Sequence, residues 1–245
     1  MDTIGRQELW SFVDGFAEGG HYHKGRHTQG RAAEASGPMI LRIVFPSLCL
    51  IAFAAYAQQP ADDPEAAFNK AVADFRSGRF AESAAGFDKV AKLVPDYAPQ
   101  LWQRGIALYY AGRYQDCRAQ FESHRTVNPA DVENAAWHFL CVARAETPAK
   151  AKAALLPVGP DSRAPMRQIY QMFKGEMSPE QMLASAGATT EAQFYAHLYA
   201  GLYFEATGNR KRARAEITTA ADHYTAGGYM HDVAVVHRDI LLRSK

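Results

Sequence analysis

Apolar residues recur at helical spacing through two stretches of the chain, residues 68–95 (FNKAVADFRSGRFAESAAGFDKVAKLVP) and 102–129 (WQRGIALYYAGRYQDCRAQFESHRTVNP). The period breaks once inside each, at Gly78 and Gly112. Two helices joined by a tight turn are predicted for each stretch, with the glycine in the left-handed position that ends the first helix. Pro95 and Pro129 are placed to stop the second helix, because the residue before a proline is pushed out of the α region. Laid over each other at an offset of 34, the stretches match in character. Phe68 falls on Trp102, Ala71 on Gly105, Phe75 on Tyr109, Phe80 on Tyr114, Ser83 on Cys117 and Phe87 on Phe121. The small residues let the two helices approach closely, and the aromatic after the glycine packs back over the turn.

Downstream the pattern weakens but stays helical. Asp131 is a helix cap for residues 132–145, and a short basic helix over 149–156 completes a degenerate third unit. Residues 157–165 (PVGPDSRAP) are a Pro/Gly loop. Helices over 166–174 and 179–186 follow, the second opening on Ser178 and Pro179. Residues 190–227 read as another hairpin, with Gly201 and Gly208 at the spacing of Gly105 and Gly112, and Ala213 and Ala220 at the small positions of its second helix. Residues 229–242, with Val233, Val236 and Ile240 on one side, read as a helix that caps the open end of the array.

A 34-residue period with small, aromatic, Gly and Pro residues at these places resembles the tetratricopeptide repeat (TPR). The resemblance implies an all-α fold, a TPR-type α-solenoid of stacked hairpins over residues 65–245. Its repeats are 65–97, 98–131, a degenerate 132–156 and 190–227, with a helical insert at 157–189 and a capping helix at 229–242.

The 245-residue chain carries a formal net charge of +1, which gives no reason to expect nucleic acid as a partner. Residues 39–57 (MILRIVFPSLCLIAFAAYA) have a short positive flank at Arg42, an apolar run and small residues at Ala55 and Ala57. This is the pattern of a secretory signal peptide cleaved after Ala57, and it implies a periplasmic or secreted protein, with membrane attachment only if the signal stays uncut. Such a signal belongs at the start of a chain, so Met39 reads as the true start and residues 1–38 as a mis-annotated or disordered extension. His21, His23 and His27 within it have a spacing that suits a metal but no scaffold to hold one. Residues 58–64 are a polar linker. Cys117 and Cys141 fall on neighbouring helices, as two buried thiols or a disulfide; buried thiols are the expectation.

The chain also resembles, more narrowly, the periplasmic TPR proteins related to new lipoprotein I, over about residues 65–243. That family implies no catalytic site and the role of an adaptor that brings envelope enzymes together. The chain departs from it in having no lipobox before Cys49.

In a TPR array the first helix of each hairpin faces the concave side. The expected protein-binding groove is therefore Phe68, Arg76, Trp102, Gln103, Ile106, Tyr109, Tyr110, Trp137, Leu140, Arg144 and Tyr199, with Phe68 and Phe75 equally placed to fill the core between repeats. Its two arginines suit a carboxylate of an extended or helical peptide. No catalytic, cofactor or metal residues are expected, since no phosphate loop, HExxH, GxSxG or paired-cysteine motif occurs. His231 and His237 lie six apart on one helix and do not converge. His124 and His138 take positions that read as core. The cluster Arg210, Lys211, Arg212 and Arg214 reads as a solvated face. A protein-binding adaptor of the cell envelope is the function expected. A self-assembling envelope subunit is the alternative, and a hydrolase on a helical scaffold the remote one.

Overall fold

The computed structural model describes residues 63–224 and 228–243, and these are all-helical. The expected signal peptide, Cys49 and the histidines at 21, 23 and 27 lie outside the described residues. In chain order the α-helices are α1 (Pro64–Arg76), α2 (Phe80–Leu93), α3 (Trp102–Tyr110), α4 (Tyr114–His124), α5 (Val132–Ala145), α6 (Pro148–Ala153), α7 (Met166–Lys174), α8 (Pro179–Ala184), α9 (Thr190–Ala206), α10 (Arg210–His223) and α11 (Tyr229–Arg243). A 3-10 helix, Pro95–Gln100, joins α2 to α3.

The ends of these helices follow from their capping residues. Asp63 accepts a hydrogen bond from the Glu65 amide at 3.0 Å, with Pro64 just inside α1. Asp131 does the same for the Glu133 amide at the start of α5. Ser178 and Gln181 form a reciprocal capping box at α8.

Three turns close in the same way. At α1–α2 the Gly78 amide donates to the Phe75 carbonyl and the Arg79 amide to Asp74. At α3–α4 Gly112 donates to Tyr109 and Arg113 to Leu108; at α9–α10 Gly208 donates to Glu205 and Asn209 to Phe204. This pair of bonds needs a left-handed residue, and the three glycines have φ of +73°, +76° and +91°.

The helices of each pair run antiparallel in one register. Phe68 meets Phe87 edge-on at 5.4 Å, and the Ser83 hydroxyl donates to the Ala71 carbonyl at 2.8 Å. Gly105 lies against the ring of Phe121, and Gly201 against Ile217, its counterpart 96 residues on. These are the close approaches that the small residues permit.

Several boundaries differ from those expected. Helix α4 stops at His124 rather than running to Pro129, because the amides of Val127 and Asn128 both turn back onto the His124 carbonyl. Pro129 instead accepts a hydrogen bond from the Gly159 amide. The basic helix is shorter than expected, and α8 ends at Ala184. Cys117 on α4 and Cys141 on α5 are joined in a disulfide with their Cα atoms 5.9 Å apart. The expectation of two free thiols is thereby corrected: α4 and α5 pack closely enough to bring both sulfurs together.

Arg163 is the main side-chain anchor of the Pro/Gly loop. Arg163 reaches Asp131 at 2.8 Å, Glu133 at 2.7 Å and Asp161 at 2.7 Å. The Tyr199 hydroxyl of α9 donates to Glu133 at 2.6 Å, so loop, α5 and α9 meet at a single ionic cluster. Little in the chain signals this cluster, since Asp161 and Arg163 sit in a stretch that reads only as turn.

Candidate functional site

The residues expected to line an open groove are mostly covered, some of them by the helix α11. Helix α11 packs on α10 and reaches across to α1 and α3. The Tyr229 ring stacks on Phe75 at 5.2 Å and meets Trp102 edge-on at 5.4 Å. One turn on, Asp232 accepts a hydrogen bond from Arg76 at 2.7 Å. Farther along, His237 Nδ1 shares a hydrogen bond with the Tyr110 hydroxyl at 2.8 Å. The helix called a cap is therefore also a clasp that joins the last element to the first.

This placement sorts the expected groove residues. Phe68, Gln103, Ile106, Tyr109, Trp137, Leu140 and Tyr199 are buried. Their assignment to an open binding surface is corrected. Their side chains pack against neighbouring helices instead, as Tyr109 does on Trp137 and Tyr199 on Glu133. Trp102 and Tyr110 are half-buried against α11, while Arg76 and Arg144 stay exposed. Neither arginine is free. Arg76 holds Asp232, and Arg144 lies over the Tyr114 ring at 5.4 Å while donating to its hydroxyl at 3.0 Å.

The middle of the clasp is polar. Glu205 of α9 lies 3.2 Å from His237 Nε2 and 4.0 Å from Arg144. The His237 contact is too bent for a well-aligned hydrogen bond, and Nε2 has no other partner. Burial works to raise the pKa of Glu205, but His237 and Arg144 outweigh it and hold the carboxyl below its ordinary range. Burial pushes the hydroxyls of Tyr109, Tyr110 and Tyr229 well above the ordinary phenol range. The Tyr109 and Tyr229 hydroxyls and the Trp137 indole nitrogen are buried without a hydrogen-bond partner. Chemically the arrangement holds helices together by aromatic faces and short polar links.

The two C-terminal histidines part company, as their spacing implied: His231 Nε2 is 3.2 Å from the Ala221 carbonyl, while His237 faces Tyr110 and Glu205. His124 and His138 are buried. Among the described residues no group of three His, Cys, Asp or Glu side chains is placed to hold a metal, and no helix is long and apolar enough to cross a membrane.

Arg210, Lys211 and Arg214 of the basic cluster are exposed, as expected of a solvated face, and Arg212 is half-buried. Arg212 pairs with Glu180 at 3.0 Å and Glu216 at 3.2 Å and lies 4.5 Å over the Phe204 ring. Arg214 also donates to the Leu242 carbonyl of α11 at 3.1 Å.

No protein-family model matches the chain, and no curated protein matches it by sequence.

Proposed function

We propose that the protein is a non-catalytic adaptor of TPR type in the cell envelope, binding another protein or peptide with the concave face of its stacked hairpins. The observation that carries this reading is the threefold recurrence of one turn and one register: Gly78, Gly112 and Gly208 close hairpins whose helices meet at equivalent small residues. Repeated hairpins of this kind build extended surfaces for other chains. The signal-like segment at 39–57 supports export, and the Cys117–Cys141 disulfide suits an oxidising compartment. The partner class is a protein or peptide, with no nucleic acid and no cofactor.

The test is direct. The exported chain is immobilised and exposed to envelope extract, and each captured protein is then purified and titrated against it by calorimetry. Saturable one-to-one binding of at least one captured protein is expected. An absence of any saturable partner, with the protein folded by circular dichroism, sinks the adaptor reading.

A further inference from the structure

Resting on the adaptor reading, we propose that α11 is a built-in occupant of the binding face, and that the partner is an amphipathic helix that takes its place on α1 and α3. The incoming helix carries an aromatic residue where α11 has Tyr229 and a carboxylate three residues later, where α11 has Asp232.

Two faces of α11 have different characters. Toward α10 it packs as one helix on the next in the chain. Toward α1 and α3 the contact is narrow and consists of separable parts. These are one aromatic slot between Phe75 and Trp102, one ion pair to Arg76, and one hydrogen bond to Tyr110. Arg76 and Asp232 are 49% and 25% exposed, so water reaches the pair and weakens it. The joint to α1 and α3 therefore opens before the seat on α10 does.

The chemistry of the slot defines its ligand. An arginine beside an aromatic cleft recognises a helix that offers a ring and a carboxylate one turn apart. In the closed protein α11 supplies both, and so competes with any outside helix. A tethered helix acts at an effective concentration of about 1 mM, so against a free helix with a Kd of about 10 µM it weakens apparent binding about 100-fold.

The experiment uses the full chain and a fluorescein-labelled peptide spanning residues 228–243. Wild type and the variant Tyr229→Ala/Asp232→Ala are titrated with the peptide by fluorescence anisotropy. The variant is expected to bind about 100-fold more tightly than wild type, and adding Arg76→Ala is expected to weaken that binding about threefold to fivefold. Equal affinity for wild type and variant overturns the proposal. If the double variant fails to fold, Asp232→Asn alone must raise peptide affinity about threefold over wild type, and no rise overturns the proposal. The two readings fail separately. Envelope partners captured equally by wild type and by the variant keep the adaptor and remove the α11 seat from it. Peptide binding without any envelope partner keeps the seat and removes the adaptor.

Discussion

Replacing Gly105 with alanine sets a Cβ 2.6 Å from Cζ and 2.7 Å from Cε2 of the Phe121 ring. Carbon atoms do not approach so closely, so either α3 and α4 separate or the ring turns. The ring has little freedom to turn: Phe121 is buried and stacks on Trp137 at 6.4 Å. Overpacking of this kind costs about 1–3 kcal/mol. Alanine in a helix interior gains about 1 kcal/mol over glycine, which offsets part of it. The net loss is about 1 kcal/mol, a shift of about 0.5 M in the urea midpoint at a slope of about 2 kcal/mol per molar. Following unfolding by far-ultraviolet circular dichroism measures it. The double variant Gly105→Ala/Phe121→Leu separates packing from propensity. Leucine removes the ring edge that the new Cβ meets, so the double variant should be more stable than the two single effects sum to, by about 1 kcal/mol. A Gly105→Ala protein at least as stable as wild type, or strict additivity in the pair, would refute the close approach of α3 and α4.

Further predictions are accessible by the same assays. Glu133 is half-buried beside Asp131, and desolvation and that neighbouring charge outweigh Arg163 and Tyr199 to push its carboxyl up to about 7. Its folded pKa lies above the ordinary 4.5, so the folded state binds the extra proton and stability falls as pH rises through that window, by at most about 1.4 kcal/mol per unit. Glu133→Gln should therefore gain on wild type between pH 4.5 and 7 in urea titrations, and a flat difference refutes the assignment. Reducing the disulfide, or Cys117→Ser/Cys141→Ser, releases a loop closed across 24 residues and should cost about 3 kcal/mol; an unchanged midpoint with and without reductant refutes the pairing. Gly112→Ala meets no neighbour within 4 Å, so its loss should come from backbone strain alone, about 1 kcal/mol. Arg163→Ala should leave the global midpoint nearly untouched while hydrogen exchange quickens across residues 157–165, whose carboxylate anchors it removes.

The individual helices were legible because their signals are local. Asp131 before Val132, Ser178 before Pro179, and glycines at 78, 112 and 208 each act through atoms within a few residues. The hairpin register was legible too, since Ala71 and Gly105 are small where a partner helix passes. The site was not legible in the same way. A residue on the apolar side of a helix, such as Tyr109 or Trp137, lines a groove or fills a core depending on which later elements pack against it. Those elements come from parts of the chain where the repeat pattern is weakest, beyond residue 132. Nothing near Tyr229 or Asp232 in the chain announces that Phase-matched residues 156 positions away, at Arg76 and its neighbours, will meet them. The ionic cluster at Arg163 escaped notice for a related reason: its five members, Tyr199 included, come from the loop, α5 with its cap, and α9.

The contact between α1 and α11 changes how the molecule comes apart. A linear row of hairpins has two free ends, and each end can fray while the middle stays intact, so unfolding proceeds in steps. Here the Arg76–Asp232 pair and the Tyr229 slot tie the two ends to each other. Loss of either of these elements strips contacts from the other, so α1 and α11 are coupled although they lie far apart in the chain. The contact closes a loop of some 156 residues, and its entropic cost grows only slowly with that length.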